Sequence, residues 1–227
     1  MITFTFLSRQ DCLDTRIHLQ NLANNKTELL EQNGKSNYDG NQAGLTGYNQ
    51  TAYFYKGKID FGTKYNWWID YTKILHHDEK QGRLPIGEVS EQKRLGPYEF
   101  VIRDTTLQAR YIFVADMDDT YNSVYTKSAL EKLDWSTVDG YIHGGDYAYD
   151  INTAQGTRGD AYFHSQRQYI TKVPYMPVAG NHESFDQGRL YEFRWQLSNS
   201  SKEFPNRFYK TRRGPVMFYF VNYDHFL

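Results

Sequence analysis

The chain has 227 residues, which suits one large domain or two small ones with a real hydrophobic core. Lysine and arginine total 26 against 27 for aspartate and glutamate, so the net charge of -1 gives no case for a nucleic-acid or membrane-surface partner. The single cysteine, Cys12, excludes a disulfide within this chain and a cysteine-based zinc site.

The first half of the chain is predicted to be polar at first and β-rich later. Residues 1–45 form a polar segment, in which 13–30 has the spacing of a weak amphipathic helix. Residues 33–49 have a loop-like composition. Aromatic residues make up 17% of the chain, which favours strands over helical bundles. Strands are predicted at residues 51–55, 64–71 and 98–103, and a linker at 104–108.

The second half contains three short apolar runs, each stopped by polar or glycine residues. These runs are predicted to be buried strands, at residues 110–115, 138–143 and 175–179. Residues 160–173 have helical spacing and suit the crossover between two parallel strands. The remaining predicted elements are helices at 128–133 and 187–197 and paired strands at 208–209 and 216–223.

Side chains of the metal-ligand type follow each of these three runs. Asp116 follows the first run, and Asp146 and Tyr149 follow the second in the sequence G-D-Y-A-Y. Asn181 and His182 follow the third in the sequence G-N-H-E. Ligands bind at the carboxyl ends of parallel strands, where glycines allow the chain to turn sharply. We therefore expect these five side chains to converge on one side of a sheet.

The order strand–Asp, strand–G-D-x-x-Y and strand–G-N-H-E resembles the purple acid phosphatases of the calcineurin-like metallophosphoesterase superfamily. The resemblance runs from about Tyr111 to Asp224, and the tyrosine of G-D-x-x-Y separates this branch from its relatives. It implies a metal-dependent acid phosphatase whose substrate is a small-molecule phosphate monoester. It also implies a binuclear metal centre of Fe(III) plus Zn, Mn or Fe(II), with a metal-bound hydroxide as nucleophile.

The resemblance assigns a role to each candidate residue. Asp116, Asp146 and Tyr149 offer hard anionic oxygens that suit Fe(III), and Asp146 is similar to the family's bridging carboxylate. Because tyrosine normally titrates near ~10, only a strong Lewis acid makes its phenolate at acidic pH. Asn181 supplies a carbonyl oxygen to the second metal. His182 is similar to the family's outer-sphere histidine, which gives a proton or hydrogen bond to the phosphate or leaving group.

The expected fold class is α/β (α+β), with a partial metallophosphoesterase domain preceded by a fibronectin-like β-sandwich. The segment I-D-F-G-T-K-Y-N-W-W-I-D resembles part of such a sandwich, with Tyr65 as a corner tyrosine bonded back to the backbone. An ordinary strand aromatic is an equal interpretation of Tyr65. The resulting boundaries are 1–45 for the polar segment, 46–105 for the sandwich and 106–227 for the incomplete catalytic domain.

Each site residue also has an ordinary structural interpretation. Asp116 alone suits a helix cap, Tyr149 a core aromatic, Asn181 a left-handed turn and His182 a surface hydrogen bond. Their occurrence at three successive strand ends favours one shared site. Among the other histidines, His143 lies inside a strand and is predicted to be in the core. The others are predicted at the surface: His18, His76, His77 and His164.

Two departures from the family pattern limit the resemblance. The family's D-x-G is D-M-D here, so Asp118 adds a carboxylate that either binds metal, repels phosphate or serves as a loop charge. The family's later V-x-x-H and G-H-x-H motifs are absent, and only His225 follows His182. The chain is therefore interpreted as the N-terminal portion of a phosphatase or as a truncated homologue.

Two alternatives to an acid phosphatase remain from the sequence. One is a catalytically weak or inactive homologue that binds phosphate or a partner, and the other is a phosphodiesterase or nucleotidase of the same superfamily. Three N-x-S/T sequons, at Asn25, Asn49 and Asn199, together with the resemblance, favour a secreted or lysosomal/vacuolar glycoprotein. Residues 1–7 lack the basic region of a signal peptide. Nothing in the sequence indicates the oligomeric state.

Overall fold

The computed structural model describes residues 2–9, 12–40, 45–55, 58–75, 89–154, 156–184, 188–195, 197 and 206–222. The described part contains four β-sheets and three short α-helices, which makes it a mixed protein of the α+β class. None of its helices has the length and apolar character needed to cross a membrane.

Two antiparallel sheets occupy the N-terminal part. Their strands are β1 (Ile2–Arg9), β2 (Cys12–Asn21), β3 (Thr27–Leu29), β4 (Glu31–Gly40), β5 (Leu45–Tyr55), β6 (Lys64–Leu75) and β7 (Val89–Val101). One sheet has the order β1-β5-β4 and the other β3-β2-β6-β7. Phe4 of the first sheet packs against Trp67 and Phe100 of the second, with ring centroids 5.1 and 6.2 Å apart. The two sheets therefore share one apolar core.

The predictions for residues 13–49 were wrong. Residues 13–30 form β2 and β3 instead of a helix, and the buried side chains of Ile17 and Leu19 alternate with more exposed neighbours as strand geometry requires. The described residues of 33–49 lie in β4 and β5, which pair across the predicted boundary at residue 45. Pairing with distant strands overrides local composition here, because strand preference depends on packing partners.

The strands predicted in the rest of the N-terminal part are present, with different bounds. The strands at 51–55 and 64–71 are confirmed, and β7 begins earlier than the predicted strand at 98–103. Tyr65 is buried, and its hydroxyl accepts a hydrogen bond from the backbone N–H of Asp60 at 3.1 Å. The bond to the backbone expected of a corner tyrosine is therefore present, whereas the fibronectin-like fold stays a prediction.

A short parallel sheet forms the centre of the C-terminal part. Its strands are β8 (Tyr111–Val114), β9 (Gly140–His143) and β10 (Tyr175–Pro177), in the order β10-β9-β8. The helices are α1 (Val124–Glu131), α2 (Thr157–Ile170) and α3 (Arg189–Arg194). All three predicted strands are confirmed, their parallel direction is confirmed, and α2 is the predicted crossover. The carboxyl ends of the three strands consequently meet at one edge.

Both faces of the central strand β9 are covered, so all four of its residues are buried. Tyr141 packs with the aromatic residues of α2, including Tyr162 and Tyr169. Its neighbour Ile142 faces the opposite way, toward the hairpin formed by β11 (Phe208–Arg213) and β12 (Val216–Val221). This alternation follows from strand geometry, and the predicted hairpin is confirmed.

Candidate functional site

The loops that follow β8, β9 and β10 touch one another through their backbones. The N–H of Asp116 donates to the carbonyl of Gly145 at 3.1 Å. A Cβ atom on Gly145 would lie 2.3 Å from the backbone nitrogen of Gly180, and one on Gly180 would lie 2.1 Å from Oδ1 of Asp146. Such close approach is possible only for glycine at both positions, which explains the glycines of G-G-D and G-N-H-E.

The candidate ligand positions have an uncommon backbone conformation. Asp116, Asp146 and Tyr149 have φ values of 52°, 56° and 36°, in the left-handed region that L-residues rarely adopt. Each such residue costs about 1–3 kcal/mol and persists only where the surrounding structure enforces it. Backbone strain of this kind is concentrated at functional sites, and here it aims the side chains toward one another.

Four of the five predicted site residues lie together. The Tyr149 hydroxyl donates to Oδ1 of Asp116 at 3.1 Å, and the Tyr149 ring lies edge-on to the His182 ring with centroids 4.7 Å apart. Oδ1 of Asp146 accepts the backbone N–H of His182 at 3.2 Å. Asn181 precedes His182 in a short 3-10 helix, Asn181–Glu183, and its side chain is exposed. Within the described residues, that side chain forms no hydrogen bond with the other four.

The two aspartates of the site lack a basic side-chain partner. Neither Asp116 nor Asp146 forms an ion pair with a basic side chain in the part of the chain that the structure describes. Burial, the hydrogen bond to Asp116 and the charges of the nearby carboxylates raise the pKa of Tyr149 to about 12. Tyr149 is therefore a phenol that donates to Asp116, and the charge of Asp146 contributes to the raised pKa of the neighbouring His182.

His182 has a partner that the sequence reasoning missed. Its Nδ1 lies 2.5 Å from Oδ1 of Asp150, the last residue of the run D-Y-A-Y-D. This hydrogen bond, together with the charges of nearby carboxylates, outweighs burial and raises the pKa of His182. The bond to Asp150 leaves Nε2 of the ring for a ligand. The signal in the sequence was the acidic residue one position after Tyr149.

Glu183 is a second residue that the sequence reasoning missed. Its buried carboxyl group accepts the backbone N–H groups of Gly180, Asp146 and Tyr147 at 2.8–2.9 Å, so it joins the second loop to the third. Burial raises its pKa to about 7, although the three N–H groups favour the carboxylate. The sequence feature that could have identified Glu183 is its position as the last residue of G-N-H-E.

Asp118 supports its own loop. Its side chain is buried and accepts hydrogen bonds from the N–H and hydroxyl of Thr120 and from the Ser123 hydroxyl, at 2.5–3.0 Å. Burial alone would raise its pKa, but these bonds and a weaker one from Asn122 lower it. Of the alternatives for Asp118, this geometry favours the structural loop charge.

His143 is in the core, as predicted. It is fully buried, its Nε2 lies 2.8 Å from the Tyr162 hydroxyl, and its Nδ1 accepts the N–H of Gly145 at 3.3 Å. Burial lowers its pKa to about 3. The surface prediction is confirmed for His164 and wrong for His18, which is only partly exposed. The remaining histidines lie outside the described residues: His76, His77 and His225.

The donor set fits part of a metal centre. Asp116 Oδ1 and the Tyr149 hydroxyl are 3.1 Å apart, close to the ~3 Å that separates adjacent oxygen ligands around an octahedral cation with bonds of ~2.1 Å. In the described part, no three or more His, Cys, Asp and Glu side chains are grouped to hold a metal. The candidate set therefore depends on Tyr149 and Asn181 in addition to the two carboxylates.

The fold and the site together define a mixed α/β protein with oxygen donors at the ends of three parallel strands. No protein-family model matches the chain. Acid phosphatase type 7 of Danio rerio is 29% identical over 96 residues, which are 38% of this chain and 21% of that protein. The match thus spans about a fifth of that relative's length. It supports a distant relationship between this chain and an acid phosphatase.

Proposed function

We propose that this chain carries the site of a metal-dependent acid phosphatase that hydrolyses phosphate monoesters. The observation that carries the proposal is that Asp116, Asp146, Tyr149 and His182 converge from the ends of β8, β9 and β10. Neither aspartate has a basic side-chain partner in the described part of the chain. The similarity to an acid phosphatase of Danio rerio is consistent with this chemistry.

Four of the predicted site residues would hold two metals. Asp116, Asp146 and Tyr149 would bind Fe(III), and Asp146 with Asn181 would bind Zn, Mn or Fe(II). Carboxylate and phenolate oxygens suit a hard trivalent cation, and a neutral amide oxygen suits a divalent one. When bound, the pair supplies Lewis acidity and activates water for attack on phosphorus.

His182 would act as the proton donor to the leaving group. A general acid must be protonated at the working pH, and the bond to Asp150 raises the pKa of His182 in that direction. The contact also fixes the orientation of the ring, because Nδ1 is held by Asp150 and Nε2 is left to face a substrate. Asp150 thus has a positioning role.

A non-catalytic binding protein is the second candidate function. The observation that favours it is the absence, among the described residues, of an imidazole or third carboxylate that completes either metal. Because a site with fewer ligands binds metal more weakly, we expect slow turnover by residues 1–227 even with added metal. A phosphodiesterase or nucleotidase would share the site and differ only in substrate.

Titration of the protein with Fe(III), followed by visible absorption, tests the metal site independently of activity. We expect a coloured complex from phenolate-to-iron charge transfer that is lost in Tyr149→Phe. The ring that packs against His182 is kept in this variant, so its thermal stability should change by less than ~0.5 kcal/mol. A coloured Tyr149→Phe protein would show that another residue is the ligand.

Hydrolysis of an aryl phosphate at acidic pH then separates the candidate functions. Metal-dependent turnover that is lost in Asp146→Asn supports the phosphatase, and a panel of diesters and nucleotides distinguishes its relatives. Metal binding without any turnover supports the binding protein. If saturating metal produced no colour and no turnover, both candidate functions would be contradicted.

A further inference from the structure

The outer face of the sheet β3-β2-β6-β7 contains a polar pocket far in sequence from the candidate metal site. Its volume is about 610 Å³, within the range of small-molecule sites. Residues from three strands line it, among them Asp14, Arg16, His18, Asp70, Thr72 and Arg94. No aliphatic side chain is among the lining residues, and besides the His18 ring the lining consists of polar and charged side chains, so an occupant would be hydrophilic.

Two arginines flank one carboxylate in this pocket. The strand register places Arg16 opposite Asp70 and Asp70 opposite Arg94. Arg94 donates to both oxygens of Asp70, from Nε at 2.6 Å and from Nη2 at 2.9 Å. In the described part of the chain, Arg16 forms neither a hydrogen bond nor an ion pair. The row therefore contains one guanidinium more than Asp70 neutralises.

One cationic side chain of the pocket lacks an acidic partner in the described part of the chain. Arg94 pairs with Asp70 at 2.6 Å and Lys93 with Glu91 at 2.5 Å, which leaves the Arg16 guanidinium. Adjacent strands are ~4.8 Å apart, so the two arginines begin ~10 Å apart across β6. This spacing and charge suit a ligand with a single anionic group.

Planar groups hold the pocket wall in place. The His18 ring stacks on Trp68 with centroids 5.1 Å apart and planes 8° apart, and the Arg94 guanidinium lies 5.3 Å from the centre of the same Trp68 ring. His18 Nε2 lies 3.1 Å from Asp70 Oδ2 but is buried without a well-aligned hydrogen bond. This nitrogen has unused hydrogen-bonding capacity beside the two arginines.

The rest of the lining offers partners for hydroxyl groups. The Thr72 hydroxyl accepts a hydrogen bond from Gln92 Nε2 at 2.8 Å, which leaves its own proton to donate. Asp14 is exposed at a bulge in β2, where its backbone φ is 49°. Its carboxylate can accept from a hydroxyl and would repel a second anionic group.

We propose that this pocket binds a small hydroxylated carboxylic acid, with its carboxylate on the Arg16 guanidinium beside the Arg94–Asp70 pair and its hydroxyl groups facing Asp14 and Thr72. Guanidinium groups match carboxylates in two-bond geometry, and such charge-assisted hydrogen bonds are about twice as strong as neutral ones. The Asp14 and Asp70 carboxylates in the lining disfavour a divalent phosphate. This site is separate from the proposed phosphatase chemistry and does not depend on it.

Titration of the full chain with glucuronate, observed through the Nε–H signals of arginine side chains by NMR, tests the proposal. We expect saturable shifts of the Arg16 and Arg94 signals, and no such shifts with glucose, which has the hydroxyls without the carboxylate. Arg16→Gln should weaken glucuronate binding by about 10-fold or more, as loss of a charge-assisted contact implies. Lys64→Gln is the control, because Lys64 pairs with Glu99 on the same sheet outside the pocket.

Three outcomes would overturn the proposal. They are the absence of saturable shifts, equal binding of glucose, and unchanged affinity in a folded Arg16→Gln protein. Any of these would show that the row of charges only joins the strands. Because Arg16 is exposed, its substitution should leave the fold intact, and the remaining amide spectrum verifies this.

Discussion

The antiparallel sheets and the parallel sheet place their charged residues in different ways. In β6 and β7, charges pair across strands, as Asp70 does with Arg94 and Lys64 with Glu99. At the ends of β8 and β9, by contrast, Asp116 accepts from the Tyr149 hydroxyl and Asp146 from the backbone N–H of His182, and neither has a basic side-chain partner in the described part of the chain. Cross-strand pairing satisfies these charges of the antiparallel sheet, whereas the two aspartates at the strand ends lie on strained backbone without a basic side chain.

The largest loss of stability is expected where the loops after β9 and β10 are in close contact, in comparison with an open turn of the antiparallel sheets. Gly145→Ala places a Cβ 2.3 Å from a backbone atom, at a φ of 101°, so we expect a loss of ~3 kcal/mol or more in the free energy of unfolding. Gly62→Ala, in the turn before β6, is the matched control. Its φ is 76° but no atom lies within 4 Å, so only the ~1–2 kcal/mol of the left-handed conformation should be lost.

Chemical denaturation of both variants measures this difference. Equal losses for the two glycines would show that the loops of the parallel sheet separate easily, and that their contact does not define the site.

An intermediate effect is expected at Asp118, where hydrogen bonds keep a buried carboxylate ionised. Asp118→Asn should destabilise the metal-free protein by ~1–2 kcal/mol at neutral pH, because charge-assisted bonds from Thr120 and Ser123 are lost. The folded-state pKa of Asp118 is below its unfolded value of ~3.9, so this stability is present above pH ~4 and is lost as the pH falls below it.

Urea unfolding at neutral pH and near pH 3 checks this dependence, with Asp119→Asn as the control. A difference between wild type and Asp118→Asn that stays constant with pH would contradict the assignment.

The smallest expected effect is a change in stability that has opposite signs for an aspartate of the site and an aspartate of the antiparallel sheet. Asp146→Asn should stabilise the metal-free protein by up to ~1 kcal/mol, since it removes one of the carboxylate charges around Tyr149 while the amide oxygen still accepts the His182 N–H. Asp70→Asn should instead destabilise by ~1 kcal/mol, because Arg94 loses its partner. Added metal should raise the melting temperature of wild type and of Asp70→Asn, and raise that of Asp146→Asn less. Destabilisation of the metal-free protein by both substitutions would remove the distinction.

The sequence predicted the parallel sheet well because its signals are local. The runs that became β8, β9 and β10 are continuous and apolar, and polar residues stop each of them. It failed at 13–49 because β2, β4 and β5 are stabilised by partners far along the chain, which local composition does not report.

The candidate site was predictable in position but not in its connections. Strand ends placed Asp116, Asp146 and Tyr149 together, since the topology alone brings those ends to one edge. The partners Asp150 and Glu183 act through a side-chain hydrogen bond and three backbone N–H groups, which have no periodic signal in sequence. Whether these residues bind metal stays a prediction.

The buried imidazole of His143 ties the acid tolerance of the molecule to its turn at Gly145. Because its Nδ1 must accept the Gly145 N–H, the ring is locked in one tautomer and stays uncharged inside the fold. The unfolded chain takes up a proton at this ring near pH ~6.5, so His143 alone favours unfolding by ~2 kcal/mol at pH 5. Glu183 and His182 have raised pKa values and act in the opposite direction, so the hydrogen bond that shapes the turn cancels stability that these two residues gain on acidification.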